Sequence, residues 1–109
     1  MNTECHCGQI KIALQAAPEK LNRCSCSICR RYGALWAYFD QSSLKISGET
    51  GTYVWGDKMI AFHRCPNCGV LTHWSHIDGD VGKIGINMQN ADQGILREIP
   101  QYDGHLMHK

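Results

Sequence analysis

The chain has 109 residues, the length of one domain, and we expect a single core of modest size over residues 1–109. Its 11 basic and 10 acidic side chains give a net charge of +1 without a basic stripe, which predicts no nucleic-acid partner. It has no apolar run of membrane-spanning length and no apolar signal region after Met1, so we expect a cytoplasmic protein with no membrane contact.

Short apolar and alternating segments predict a mainly β fold. The predicted strands are, in chain order, 10–14, 21–24, 34–39, 44–46, 52–55, 59–63, 70–74, 83–86 and 95–99. The fifth and sixth of these strands should form a hairpin around Gly56 and Asp57. Many short strands separated by glycines indicate a small antiparallel or barrel-like β domain.

One short helix and two irregular segments interrupt this pattern. The helix is predicted within 27–33, with Ser27 as its cap and Gly33 as its stop. Residues 79–82 are expected to form a loop, and the polar segment 101–109 is expected to be a loose tail.

Seven cysteines lie in three tight clusters. The clusters read Cys5-His6-Cys7-Gly8, Cys24-Ser25-Cys26-Ser27-Ile28-Cys29 and Cys65-Pro66-Asn67-Cys68-Gly69. An odd count cannot pair completely into disulfides within one chain, and cytoplasmic thiols stay reduced. We therefore favour metal binding over a disulfide framework, and we favour zinc over iron because thiolate-rich tetrahedral sites suit zinc.

The first and third clusters together supply four sulfurs, which close a tetrahedral zinc site and leave no open position. We expect this ion to stabilise the fold. The predicted ligands are Cys5, Cys7, Cys65 and Cys68. The alternative is that a histidine replaces one of these cysteines, the candidates being His6, His63 and His73.

The middle cluster supplies three sulfurs, from Cys24, Cys26 and Cys29. Zinc held by three thiolates keeps one position open, where it can bind a substrate thiolate or polarise a carbonyl oxygen. One alternative is a second structural zinc completed by a histidine. Another is a redox pair without metal, which the missing βαβ context disfavours.

Other side chains near these clusters have two interpretations each. Arg30 and Arg31 could offset thiolate charge or bind a carboxylate, although adjacent arginines are more often solvated. Five aromatic residues could wall a pocket but more commonly form core: Trp36, Tyr38, Trp55, Phe62 and Trp74. Three histidines could act as a general base but lie in no motif: His63, His73 and His76.

Taken together, these motifs resemble the glutathione-dependent formaldehyde-activating enzyme family, which includes centromere protein V. The resemblance runs from about Glu4 to Asp92. Its carriers are Cys5 to Ile10, Cys24 to Gly33, Leu44-Lys45-Ile46-Ser47-Gly48, Arg64 to Gly69, Gly85-Ile86-Asn87-Met88 and Ala91-Asp92. The resemblance implies a β-tent fold of small antiparallel sheets around zinc, with the four-cysteine ion structural and the three-cysteine ion exchangeable.

The resemblance also implies a reaction, the reversible formation of a carbon–sulfur bond between glutathione and formaldehyde. The predicted function is thus a zinc-dependent carbon–sulfur lyase acting on a thiol–aldehyde adduct such as S-hydroxymethylglutathione. We expect two zinc ions per chain, the second of them labile, and a small-molecule thiol as the partner. The alternative is a non-catalytic module for protein interaction or zinc handling, which the small size and the lack of an obvious general base favour.

Overall fold

The computed structural model describes residues 1–56, 58–78 and 83–104, and within these residues the chain is mainly β. The strands are β1 Asn2–Glu4, β2 Lys11–Leu14, β3 Leu21–Cys24, β4 Trp36–Asp40, β5 Leu44–Ser47, β6 Gly51–Val54, β7 Ile60–Arg64, β8 Leu71–His76, β9 Lys83–Asn87 and β10 Gln101–Gly104. The helices are α1 Ser27–Tyr32 and α2 Gln93–Leu96, with 3-10 turns at Gln41–Ser43 and Met88–Asn90. The mainly β prediction is confirmed, and no described helix is long and apolar enough to cross a membrane.

Two sheets organise these strands. The small sheet has the order β1-β2-β5 and the large sheet the order β10-β3-β4-β9-β8-β7-β6. Neighbouring strands are antiparallel except for β10 and β3, which run parallel. The predicted hairpin is confirmed as β6 and β7, while Asp57 and the predicted 79–82 loop lie outside the described residues.

The end of the chain differs from the sequence-based prediction. The strand predicted at 95–99 is wrong, because the carboxylate of Asp92 caps a helical turn there and accepts a hydrogen bond from the Ile95 N–H at 3.1 Å. The prediction of a loose tail is also wrong for Gln101–Gly104, which pairs with β3. The rest of that predicted tail, 105–109, lies outside the described residues.

Two apolar clusters lie on opposite faces of the large sheet, because side chains alternate along each strand. On one face, Ala37 and Ile86 pack with Ile12 of the small sheet. On the other face, Trp36 and Trp74 pack with the three cysteines of the middle cluster. The large sheet therefore separates the inter-sheet core from the middle cysteine cluster.

A glycine between β4 and β8 makes room for one large side chain on the cysteine-bearing face. Gly85 is the register partner of both Tyr38 and Trp74, and the indole of Trp74 lies where a side chain at position 85 would be. The ring centroids of Tyr38 and Trp74 are 6.0 Å apart across this gap. Gly85 thus sets how closely the aromatic side chains pack on this face.

We predict that Gly85→Ala destabilises the protein by about 1–3 kcal/mol, because its Cβ would overlap the indole and force the core to shift. Gly51→Ala in β6 is the matched control, since its Cβ would meet only the flexible end of Arg64. Chemical denaturation of the two zinc-loaded variants measures the difference. Equal free energies of unfolding would show that the gap has no structural role.

Two stacked histidines lie across β7 and β8. The rings of His63 and His73 are 4.1 Å apart, and His63 lies within 2.7 Å of both Thr50 Oγ1 and Ser75 Oγ. Burial lowers the pKa of His63, while burial and the neighbouring His63 lower the pKa of His73 to about 3. The pair is therefore neutral in the folded protein at ordinary pH.

This depressed pKa predicts acid sensitivity. Above the unfolded pKa of about 6.5, His73 is neutral in both states, but below it only the unfolded chain takes up the proton. Stability should therefore fall as the pH drops from about 6.5, with a loss of about 2 kcal/mol from His73 at pH 5. Unfolding curves of wild type and His73→Gln between pH 7 and pH 5 measure this, and parallel curves would contradict it.

Candidate metal centres and the adjoining cavity

The first and third cysteine clusters meet in space as the sequence predicts. The Sγ atom of Cys7 lies 3.7 Å from that of Cys5 and 3.6 Å from that of Cys65. All four Sγ atoms, including that of Cys68, lie within 4.8 Å of one another. Four sulfurs at this spacing fit a tetrahedral zinc ion.

Two similar turns present these sulfurs. In the first turn the N–H of Gly8 donates to the carbonyl of Cys5 at 3.0 Å, and in the second the N–H of Gly69 donates to that of Cys65 at 2.9 Å. Both glycines have positive φ, 82° and 79°, which side chains with a Cβ rarely adopt. The Cys-Gly pairs in the sequence are therefore a requirement of the turn geometry.

Backbone N–H groups point at the sulfurs and favour their ionised form, although at Cys65 burial and the neighbouring thiols outweigh them and raise its pKa overall. The Sγ atom of Cys65 accepts from the N–H groups of Asn67 and Cys68, both at 3.4 Å. The N–H groups of Cys7 and Val70 lower the pKa of Cys68 to about 6. Because a metal binds the thiolate rather than the thiol, these donors prepare the cluster for an ion.

The middle cluster is brought together by β3 and the start of α1. The Sγ atoms of Cys24, Cys26 and Cys29 lie within 4.8 Å of one another, and all three residues are buried. Cys26 caps the helix, since its sulfur accepts from the Cys29 N–H at 3.4 Å, so the prediction of Ser27 as the cap is wrong. Gly33 ends the helix as predicted, at φ 67°.

Electrostatics in this buried cluster also fit a cation. Burial opposes ionisation of Cys26, but hydrogen bonding, led by the Cys29 N–H, lowers its pKa overall. Burial raises the pKa of Cys29, whose sulfur accepts a hydrogen bond from the indole N–H of Trp36 at 3.3 Å. Three ionised sulfurs so close together would repel each other without a positive ion between them.

The histidine alternatives find no support in these clusters. Among the described residues, the groups that lie close enough to share an ion contain cysteines alone. His63 interacts instead with Thr50 and Ser75, and His73 Nδ1 lies 2.8 Å from Thr72 Oγ1. The described residues therefore form one candidate metal site with four cysteine sulfurs and one with three.

The aromatic residues surround the middle cluster as core. Trp36, Phe62 and Trp74 are buried, and Trp36 packs against both of the others at centroid distances of 6.3 and 6.5 Å. Tyr38 and Trp55 are partly buried against the same cluster. This is the commoner of the two interpretations that the sequence left open for them.

A cavity of about 230 Å³ adjoins the middle cluster. Its lining residues are Arg23, Cys24, Ser25, Cys29, Arg30, Gly33, Ala34 and Asp103. Of the two adjacent arginines, Arg30 lines this cavity, whereas Arg31 donates a hydrogen bond to the Ser27 carbonyl at 2.7 Å. The structure thus gives the two arginines different surroundings, which the sequence alone could not show.

Sequence reasoning missed a partly buried polar pair on the same sheet face. The side-chain amide of Asn22 donates to the hydroxyl of Tyr38 at 2.5 Å, while Asn22 Oδ1 is buried and has no hydrogen-bond partner among the described residues. Burial raises the pKa of Tyr38 to about 12, so this hydroxyl stays protonated at neutral pH. The available signal was the spacing of Asn22, two residues before Cys24, which puts both on one face of β3.

Comparison with known proteins agrees with the fold and the cysteine clusters. Residues 1–104 match the family model described as glutathione-dependent formaldehyde-activating enzyme, and the chain belongs to this family. A crystal structure of a Rhodobacter sphaeroides protein, a Northeast Structural Genomics target, is 29% identical with a TM-score of 0.75, covering 94% of this chain and 100% of that chain. No curated protein matches the sequence.

We predict two zinc ions per chain in the purified protein, of which mild chelation removes one. Cys26→Ser should abolish the labile ion with little change in the unfolding midpoint, whereas Cys68→Ser should abolish the tightly held ion and lower the midpoint. The physical reason is that an ion bound by the four cysteines would cross-link distant turns of the chain, since Cys7 and Cys65 lie 58 residues apart. Elemental analysis and thermal unfolding measure the two effects. If Cys26→Ser lowered the midpoint and Cys68→Ser did not, the middle cluster would be the structural site.

Proposed function

We propose that this protein is a zinc-dependent carbon–sulfur lyase acting on a thiol–aldehyde adduct such as S-hydroxymethylglutathione. The observation that carries the proposal is the middle cluster: three buried cysteines, with sulfurs within 4.8 Å of one another, beside a cavity of about 230 Å³. Membership in the formaldehyde-activating family supports the choice of reaction. In this proposal the four-cysteine cluster has a structural role.

The residues of the middle cluster fit a zinc ion with one open position, and zinc held there would act as a Lewis acid toward a thiolate sulfur or a carbonyl oxygen. The chain's own groups set the geometry. The Cys29 N–H and the Trp36 indole N–H hold two of the sulfurs in place. Phe62 and Trp74 pack beside the cysteines and exclude water from that side.

The proposed reaction breaks one carbon–sulfur bond and needs no redox partner. The sulfur leaves with the bonding pair as a thiolate, the carbon–oxygen single bond of the adduct becomes the carbonyl of the aldehyde, and the hydroxyl proton passes to the thiolate, which becomes the free thiol. The reverse reaction forms the adduct from thiol and aldehyde. The cavity beside Cys24 and Cys29 is where we place the adduct.

A second candidate function is a non-catalytic zinc module. It is favoured by the burial of all three cysteines of the middle cluster, none of which is more than 2% exposed. Such burial is common for structural metal sites. The module predicts that the middle cluster contributes to stability and that it leaves the exchange of thiol adducts unchanged.

An NMR exchange measurement with glutathione and formaldehyde tests the proposal. We expect fully zinc-loaded protein to accelerate exchange between glutathione and its adduct, because the middle cluster would stabilise the departing thiolate. Cys26→Ser should reduce the acceleration to near the uncatalysed rate while circular dichroism shows an intact fold. Zinc-loaded wild type that leaves the exchange rate unchanged would reject the lyase and favour the module.

A further inference from the structure

A single residue connects two of the cysteines of the middle cluster. Cys24 is the last residue of β3 and Cys26 caps α1, so Ser25 alone joins the strand to the helix cap. The backbone conformation at Ser25 therefore sets how the sulfurs of Cys24 and Cys26 stand relative to each other. Contacts that hold Ser25 in place also hold the geometry that a bound ion would require.

The edge strand β10 makes these contacts. The N–H of Ser25 donates to the carbonyl of Gly104 at 3.1 Å, and its hydroxyl donates to the same oxygen at 3.4 Å. Gly104 is the register partner of Cys24 at the end of the parallel β3–β10 pair. The backbone of β10 is thus hydrogen-bonded directly to the connection between the two cysteines.

The close approach of β10 to β3 requires a glycine at position 104. A Cβ added to Gly104 would overlap Oδ1 and Cγ of Asn22. These atoms cannot easily move aside, because Asn22 is only 4% exposed and its amide donates to the hydroxyl of Tyr38. A side chain at position 104 would therefore push the end of β10 away from β3.

Elsewhere along its length, polar contacts hold β10 in place. Arg23 donates to Gln101 Oε1 at 2.6 Å, and Lys20 Nζ lies 5.1 Å from the centroid of the Tyr102 ring. The apolar clusters of the described part of the chain include no residue of β10. An edge strand that buries no apolar side chain separates from its neighbour at a lower cost than a core strand does.

The other contacts to the sulfurs come from elements other than β10. The sulfur of Cys26 accepts from the Cys29 N–H of α1, and the sulfur of Cys29 accepts from the Trp36 indole of β4. In the four-cysteine cluster, the sulfur of Cys65 accepts from N–H groups of its own turn. Detachment of β10 would therefore disturb the connection at Ser25 and leave these contacts in place.

We propose that β10 is a positioning strand that sets how tightly the middle cluster holds a metal ion. When β10 is docked on β3, Gly104 fixes the connection at Ser25 and keeps the sulfurs of Cys24 and Cys26 together. When the end of β10 detaches, this connection loosens and the ion is released faster. The proposal rests on the part of the proposed function that puts zinc in the middle cluster, and it does not depend on the lyase reaction.

Release of zinc to a colorimetric chelator tests the proposal without a measurement of activity. Cys26→Ser identifies the release phase that belongs to the middle cluster, since this phase should be absent from that variant. Gly104→Ala should accelerate the same phase at least about tenfold and leave the slower phase within about twofold of wild type. Gly51→Ala is the matched control, because it adds a Cβ to the opposite edge strand, where only the flexible end of Arg64 would have to move.

Hydrogen exchange of the Ser25 amide shows whether β10 is docked. We expect this amide to lose protection in Gly104→Ala and to keep it in Gly51→Ala, because Gly104 supplies its acceptor. Equal release rates in the two glycine variants, or unchanged protection of the Ser25 amide, would overturn the proposal. Faster release of both ions would also overturn it, because β10 would then stabilise the whole fold rather than the middle cluster.

A milder variant keeps the test decisive if Gly104→Ala fails to fold. Arg23→Gln removes the exposed hydrogen bond to Gln101 and should accelerate release from the middle cluster by roughly threefold. Arg97→Gln removes the same charge at the end of α2 and should leave this rate unchanged. Equal rates in the two arginine variants would contradict a role for the contacts of β10.

Zinc release and adduct exchange separate this proposal from the lyase. Faster release in Gly104→Ala, with no adduct exchange in wild type, would reject the lyase and keep the positioning role of β10. Adduct exchange in wild type, with equal release from the two glycine variants, would keep the lyase and reject the positioning role. A middle cluster that binds no zinc would reject both.

Discussion

The four-cysteine cluster is the constraint on which the arrangement of the two sheets depends. Cys7 and Cys65 are 58 residues apart in the chain, yet their sulfurs lie 3.6 Å from each other. The first turn follows β1 and precedes β2 of the small sheet, while the second joins β7 to β8 of the large sheet. Closing so long a loop costs conformational entropy, which a bound metal ion would offset. The same closure holds Ile12 against Ile86 in the core between the sheets.

The four-cysteine cluster and the middle cluster are separate in the structure. The middle cluster is therefore not needed to join the two sheets and could have a different role. Cys5 and Cys65 pack with Ile10 in one small cluster, whereas the three cysteines of the middle cluster pack with a separate set of aromatic residues. The donors to the middle sulfurs are local, from α1 and from Trp36 on β4. Loss of an ion from the middle cluster would thus leave the cross-link between the sheets in place.

Patterns among neighbouring residues predicted most of the strands and turns, but they could not predict a strand that forms only by pairing with a distant part of the chain. Apolar alternation located β2, the hairpin pattern located β6 and β7, and Cys-Gly pairs located both metal turns. The local sequence pattern missed β10, because the polar residues of Gln101–Gly104 form a strand only by pairing with β3, about 80 residues earlier in the chain. The same pairing brings Asp103 to the wall of the cavity, so this lining residue could not be found from its neighbours in sequence.

The two sides of the middle cluster differ in what they allow to approach. Trp36 and Phe62 pack against the cysteines on the sheet side, and burial there raises the pKa of Cys29. The cavity borders Cys24 and Cys29 on the other side, where the small residue Ala34 leaves space. We therefore place an approaching ligand on the cavity side of the middle cluster, because packed aromatic rings fill the sheet side.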